Sequence, residues 1–87
     1  MPVSAQNRLG VCYEYGTGVE KDEQRAVELY QKAAEQGDAT AQFNLEVCYE
    51  NGTGVAKDEQ MAVELYQNAA EQGHAGAQKR LNQLQKF

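Results

Sequence analysis

Apolar residues recur along this chain at helical spacing, interrupted at regular intervals by short glycine-marked breaks. Ala41, Leu45, Cys48 and Tyr49 stand at i, i+4, i+7 and i+8, and Ala5, Leu9, Cys12 and Tyr13 do the same earlier. At about 100° per residue each set covers one face of a helix. A second stripe, Ala26, Leu29, Tyr30 and Ala33, returns as Ala62, Leu65, Tyr66 and Ala69. Gln24, Glu28, Gln31 and Glu35 fall opposite it, as a solvated outer face should. Asp22, Asp38 and Asp58 stand where N-cap acceptors are needed. Gly16, Gly37, Gly52 and Gly73 stand where a left-handed residue ends a helix. Pro2, the single proline, suits a first helical turn. The pattern predicts helices at about 3–15, 22–36, 39–51, 58–72 and 75–86. Links this short make neighbours antiparallel, so the expected fold is all-α, an A-B-A-B-A stack of αα-hairpins.

The chain also copies itself. Residues 1–36 match residues 37–72 at 25 positions, among them Cys12/Cys48, Gly16–Val19/Gly52–Val55 and Ala26–Gln31/Ala62–Gln67. A partial third copy aligns Ala77, Gln78 and Leu81 with Ala41, Gln42 and Leu45. A period of this size implies stacked units, none able to bury its apolar face alone. The domain is therefore expected as one body: repeat one at 1–36, repeat two at 37–72, and a C-terminal half repeat or cap at 73–87.

Ala5-Gln6, Leu9-Gly10, Tyr13, Gly16, Gly18-Val19, Asp22, Ala26, Tyr30 and Ala33-Ala34-Glu35-Gln36-Gly37 together form a pattern that resembles the Sel-one-like repeat, a relative of the tetratricopeptide repeat. The second unit repeats nearly all of it. The resemblance implies a right-handed αα superhelix with the A helices lining its concave side. It also implies a protein-interaction scaffold, of the kind found in bacterial signalling, effector and immunity proteins and in eukaryotic protein quality control. Two positions depart from the pattern. The family glycine present as Gly10 is Glu46 and then Asn82, which implies a looser second hairpin or a Glu46 side chain turned toward the groove. Leu29 and Leu65 stand where the family often carries a large aromatic residue.

Composition narrows the function. In 87 residues, 41% are hydrophobic and 24% charged, ordinary for a soluble globular chain. The net charge is −5. Residues 1–76 hold all 13 acids and five bases, while Lys79, Arg80 and Lys86 make the C-terminal stretch basic. An acidic body argues against nucleic acid, whose nonspecific binding depends on Lys and Arg replacing phosphate counterions. No run approaches the ~20 apolar residues of a membrane span, and the first residues lack a signal peptide's basic start and apolar run. The expectation is a chain without membrane contact or targeting signal, cytoplasmic by default.

Candidate chemistry is sparse. Cys12 and Cys48 share a repeat column with Leu84, which marks an apolar packing position rather than a reactive one. Neighbouring A helices about 8–10 Å apart would keep the two thiols beyond the ~7 Å Cα limit for a disulfide. His74 aligns with the cap Asp38. Gly-Thr-Gly follows a helix and lacks the strand and lysine of a phosphate loop. No nucleophile-and-base pair, metal-ligand set or cofactor motif emerges, so the chain reads as noncatalytic.

The candidate binding residues are on the A helices. Phe43 and Val47 lie on the side of their helix away from the core stripe, with Glu50 between them. Val11 and Glu14 repeat Val47 and Glu50, and Lys79 and Gln83 are the third-unit counterparts. With Glu46 added, these residues would form the floor of a concave surface for a protein or peptide. The competing reading buries Phe43 and Val47 between adjacent A helices. Leu81, Leu84 and Phe87 offer either a cap or an end-to-end contact between copies. A structural or self-associating module, consensus-like or designed, and a bacterial immunity protein are the alternative functions.

Overall fold

The computed structural model describes residues 2–84, and the hydrophobic stripes become five helices: α1 (Val3–Tyr15), α2 (Glu23–Glu35), α3 (Ala39–Asn51), α4 (Glu59–Glu71) and α5 (Ala75–Leu84). Each helix starts within a residue of its expected position. The expected continuation of α5 beyond residue 84 lies outside the described residues. Among the described residues there is no strand.

Local chemistry sets the boundaries. The Asp22, Asp38 and Asp58 side chains accept from the backbone N–H groups of Arg25, Ala41 and Met61 at 3.1, 2.9 and 3.1 Å. Each bond satisfies one of the donors that a helix N-terminus leaves open. His74 plays the same part for α5, its Nδ1 accepting from the Ala77 N–H at 3.0 Å. Gly16 and Gly52 end α1 and α3 in the left-handed region. The chain then folds back, and the N–H groups of Asp22 and Asp58 donate to the Tyr13 and Tyr49 carbonyls at 2.9 Å. These backbone bonds close each A-B hairpin at a fixed height.

The hairpins stack into an elongated body of 39 × 25 × 18 Å. A 13-residue helix spans about 20 Å, so the long dimension is the stacking direction. Each helix packs chiefly on its sequential neighbours, α1 on α2, α2 on α3, α3 on α4 and α4 on α5. The resulting architecture is the αα-hairpin solenoid that the periodicity implies.

Two apolar clusters hold the stack. Ala26, Val27, Tyr30, Leu45 and Cys48 form the first, joining repeat one to the A helix of repeat two. Tyr66, Ala69, Ala77 and Leu81 form the second, with Phe43, Val47 and Val63 packed against it. Burying each of the larger side chains contributes about 1.5–3 kcal/mol. In the Cys12/Cys48 column both thiols are free, and Cys12 is half-buried. Cys48 is core, and burial pushes its thiol up to about 12, with the charges of Glu14, Glu23 and Glu46 adding to the shift.

Close approach explains two glycines. A Cβ at Gly10 would sit 2.7 Å from the Tyr30 ring, so glycine lets that ring lie against α1. At Gly54, φ is +71°, and a Cβ would sit 2.4 Å from the Glu23 carbonyl oxygen. The turn of the second hairpin is thereby pressed onto the start of α2.

Candidate functional site

Two of the exposed large apolar residues lie on α1, an A helix, and a third, Met61, lies on α4. Val11 is 37% exposed and Tyr15 69%, one helical turn apart. On α3, Phe43 and Val47 are half-buried. Phe43 stacks on the His74 ring with centroids 4.9 Å apart, and meets the Tyr66 ring at a tilt of 60° with centroids 5.8 Å apart. Both residues pack against the Tyr66–Ala77 cluster and are not fully covered by it. On α5, Lys79 and Gln83 are exposed, and Gln83 accepts from Arg80 Nη1 at 3.2 Å.

The acids behave differently from a simple rim. The buried Tyr30 hydroxyl donates to Glu14 Oε1 at 2.7 Å, and the buried Tyr66 hydroxyl donates to Glu50 Oε2 at 2.7 Å. Burial, followed by the hydrogen bond and charge of Glu14, raises the Tyr30 phenol well above its ordinary value. Burial and the Glu50 hydrogen bond do the same for Tyr66. Each A-helix glutamate therefore anchors the tyrosine of its own B helix. Glu50 has a second partner. Arg80 of α5 approaches it with a fork, Nε on Oε2 at 3.2 Å and Nη2 on Oε1, leaving the Glu50 side chain only 17% exposed. In repeat two the residue at the position of Arg80 is Asn44, which turns instead to Asn7, donating to its Oδ1 at 3.0 Å.

Glu46 requires a correction. It was expected at the groove surface, yet it is fully buried, and neither carboxylate oxygen has a hydrogen-bond partner. Its azimuth on α3 is the one Gly10 occupies on α1, against the B helix, and a helix position cannot rotate away from its packing partner. Burial, with the Glu50 charge adding and Arg80 opposing, pushes its carboxyl up to about 10. It is therefore not a surface contact. Leu81 is likewise buried, against the Tyr66–Ala77 cluster, and is not available to join two copies. The Leu84 side chain and Phe87 lie outside the described residues.

The family model of the Sel1 repeat matches residues 3–38 and again 39–74. The chain belongs to the Sel1 repeat family. Solved structures agree. A Sel1 repeat protein from Oxalobacter formigenes is 50% identical and superposes with a TM-score of 0.92 over 94% of this chain. The c5321 protein, a protective antigen of uropathogenic Escherichia coli with the same repeat fold, is 38% identical at a TM-score of 0.88 over 92%. Cysteine rich protein B of Helicobacter pylori is 32% identical at 0.86 over 91%. The chain spans 34%, 17% and 59% of those three chains respectively. No curated protein matches it at a significant level.

Sel1 repeats are commonly protein-interaction scaffolds and generally noncatalytic. Within this Sel1 array, the sequence reading missed Tyr15, Asn44 and Arg80 on the A-helix side. The signal for Arg80 was present in the Arg8/Asn44/Arg80 column, which changes character from unit to unit. A cleft of about 250 Å³ lies on the B-helix side, between α2 and α4. Leu45 and Tyr49 of α3 form its floor, with Ala34, Met61 and Leu65 on its walls. Nothing in the chain's periodicity announced it, because Leu45, Tyr49 and Leu65 sit at ordinary core-stripe positions.

Proposed function

We propose that the chain is a noncatalytic binding module that holds an extended or helical segment of a partner protein along its A-helix side, across α1, α3 and α5. The observation that carries this reading is the exposed Val11–Tyr15 pair on α1. It is continued by the half-buried Phe43 and Val47 on α3 and edged by Lys79 and Gln83 on α5. An apolar strip with a polar border suits a side-chain-anchored peptide. The acidic body favours a segment with cationic character.

The test is selection of peptides from a random display library on the immobilised chain, followed by affinity measurement on variants. Replacing Val11 with Asp and Tyr15 with Ser alters exposed positions only, so the melting curve should be preserved. The reading expects at least about tenfold weaker binding, the loss of a single interfacial anchor. Unchanged affinity in that variant, with loss on Met61→Asp in the B-helix cleft, would move the site to the other side of the molecule. A concentration-dependent dimer that selects no peptide would favour a self-associating module.

A further inference from the structure

The two Tyr–Glu pairs are equivalent within the repeat, but only one of them is complete. Glu50 accepts the Tyr66 hydroxyl on one side and the guanidinium fork of Arg80 on the other. Glu14 accepts the Tyr30 hydroxyl with the same 2.7 Å geometry. Asparagine at position 44 is too short to reach it and bonds Asn7 instead. Among the described residues no Lys or Arg lies within ion-pair distance of Glu14. What the molecule supplies to Glu50 from its own next A helix, it leaves unsupplied at Glu14.

The neighbourhood of Glu14 differs in a second way. The residue after Glu50 is Asn51, whereas the residue after Glu14 is Tyr15, the most exposed large apolar residue among the described residues. Tyr15 directly follows Glu14 on α1, and the Glu14 charge, followed by burial, raises its phenol from the ordinary value. An aromatic face next to a carboxylate suits a planar cation, since guanidinium pairs bidentately with the acid and stacks on the ring. An ammonium can do only part of this.

We infer that the Glu14–Tyr30–Tyr15 corner is a receptor for an arginine side chain of the bound partner segment, which takes the place that Arg80 fills at Glu50. This rests on the A-helix binding reading and specifies one residue of the ligand. The internal pair at Glu50 serves as its geometric template.

The probe is a blocked peptide, acetyl-Ser-Leu-Arg-Leu-Ser-amide, compared with the same peptide carrying citrulline, which keeps the shape and removes the charge. Binding to the full chain is followed by NMR. Saturable shifts are expected at Glu14, Tyr15 and Tyr30, with a Kd in about the millimolar range. The arginine peptide should bind about fivefold or more tighter than the citrulline one. Glu14→Gln retains an acceptor for the Tyr30 hydroxyl and should erase that preference. Asn44→Arg should also erase it, by supplying an internal guanidinium. Equal binding of the two peptides, a preference that survives Glu14→Gln, or no saturable shift at Glu14 would overturn the inference. If both peptides bind the Val11–Val47 strip equally, the arginine receptor alone fails. If shifts centre on Met61 and Leu65, the A-helix reading fails as well.

Discussion

Replacing Glu46 with glutamine should remove a pH dependence of stability that runs opposite to the usual carboxylate behaviour. A paired surface acid has a lowered pKa when folded and stabilises the fold as pH rises. Glu46 is fully buried with both oxygens unpartnered, and its carboxyl is pushed from 4.5 up to about 10. Below the unfolded value both states hold the proton, and the fold loses nothing. Above it the unfolded chain releases the proton while the folded chain keeps it. Each further pH unit then lowers the unfolding free energy by about 1.4 kcal/mol. The decline runs from about 4.5 toward about 10 and stops once the folded carboxyl ionises.

Between pH 5 and pH 7 the loss should reach about 2.7 kcal/mol. A small domain has only about 5–15 kcal/mol in total, and the melting temperature should fall by roughly 10–20 °C. The assay is urea unfolding of the wild type and Glu46→Gln at half-unit steps from pH 4 to pH 8. Other titrating groups cancel in the difference because they are common to both proteins. The buried amide of the variant also lacks partners and shifts the intercept. The slope of the difference, one proton per molecule, isolates the carboxyl. Parallel curves would refute the buried, protonated state, and so would a wild type that gains on the variant as pH rises. Glu46→Gly, which restores the first-repeat residue, should be more stable than wild type at pH 7 despite the helix penalty of about 1 kcal/mol.

Gly54→Ala should cost about 2–5 kcal/mol, from the left-handed backbone together with the clash at the Glu23 carbonyl. Gly18→Ala has nothing within 4 Å of the added Cβ and should cost only about 1–2 kcal/mol, so equal losses in urea unfolding would argue against that inter-repeat contact. With an alkylating reagent and mass detection, Cys12 should react well before Cys48, which is 1% exposed with a thiol pushed up to about 12; equal rates would contradict its core placement. Tyr30→Phe should cost about 1–2 kcal/mol by removing the hydroxyl bonded to Glu14, and an unchanged urea midpoint would show that bond to be energetically empty.

What the sequence made legible is what depends on short-range chemistry. Asp22, Asp38, Asp58 and His74 cap the helices that follow them because a cap bond closes over three residues and needs no knowledge of the fold. The Cys12/Cys48 column was readable because a repeat samples the same environment more than once. The A-helix surface was only half readable. Periodicity separated Phe43 and Val47 from the core stripe, but it could not say that this side faces the next hairpin. The Asn7/Phe43/Lys79 column shows the consequence: Asn7 is buried and Phe43 half-buried toward a following hairpin, while Lys79 is exposed. Glu46 was misplaced because its identity argued for water while its position argued for burial, and packing against α4 fixes the position.

The long-range side-chain contacts were hidden for a geometric reason. Gln36 bonds Gln6 and Gln72 bonds Gln42 within their own hairpins, and Arg80 bonds Glu50 across to the next unit, each pair 30 residues apart in a chain whose repeat is 36. Overlaying the units aligns equivalent residues, and equivalent residues are not the ones that touch. A pair displaced from the repeat closes only where the side chain at one end is long enough. Arginine at 80 is, and asparagine at 44 is not. The substitution that looks like a minor lapse in the repeat therefore decides whether a carboxylate is occupied from within or left open. On that argument, variation in the 8/44/80 column should set ligand charge preference along the array, and Asn44→Arg should exchange the open acid at Glu14 for an internal pair.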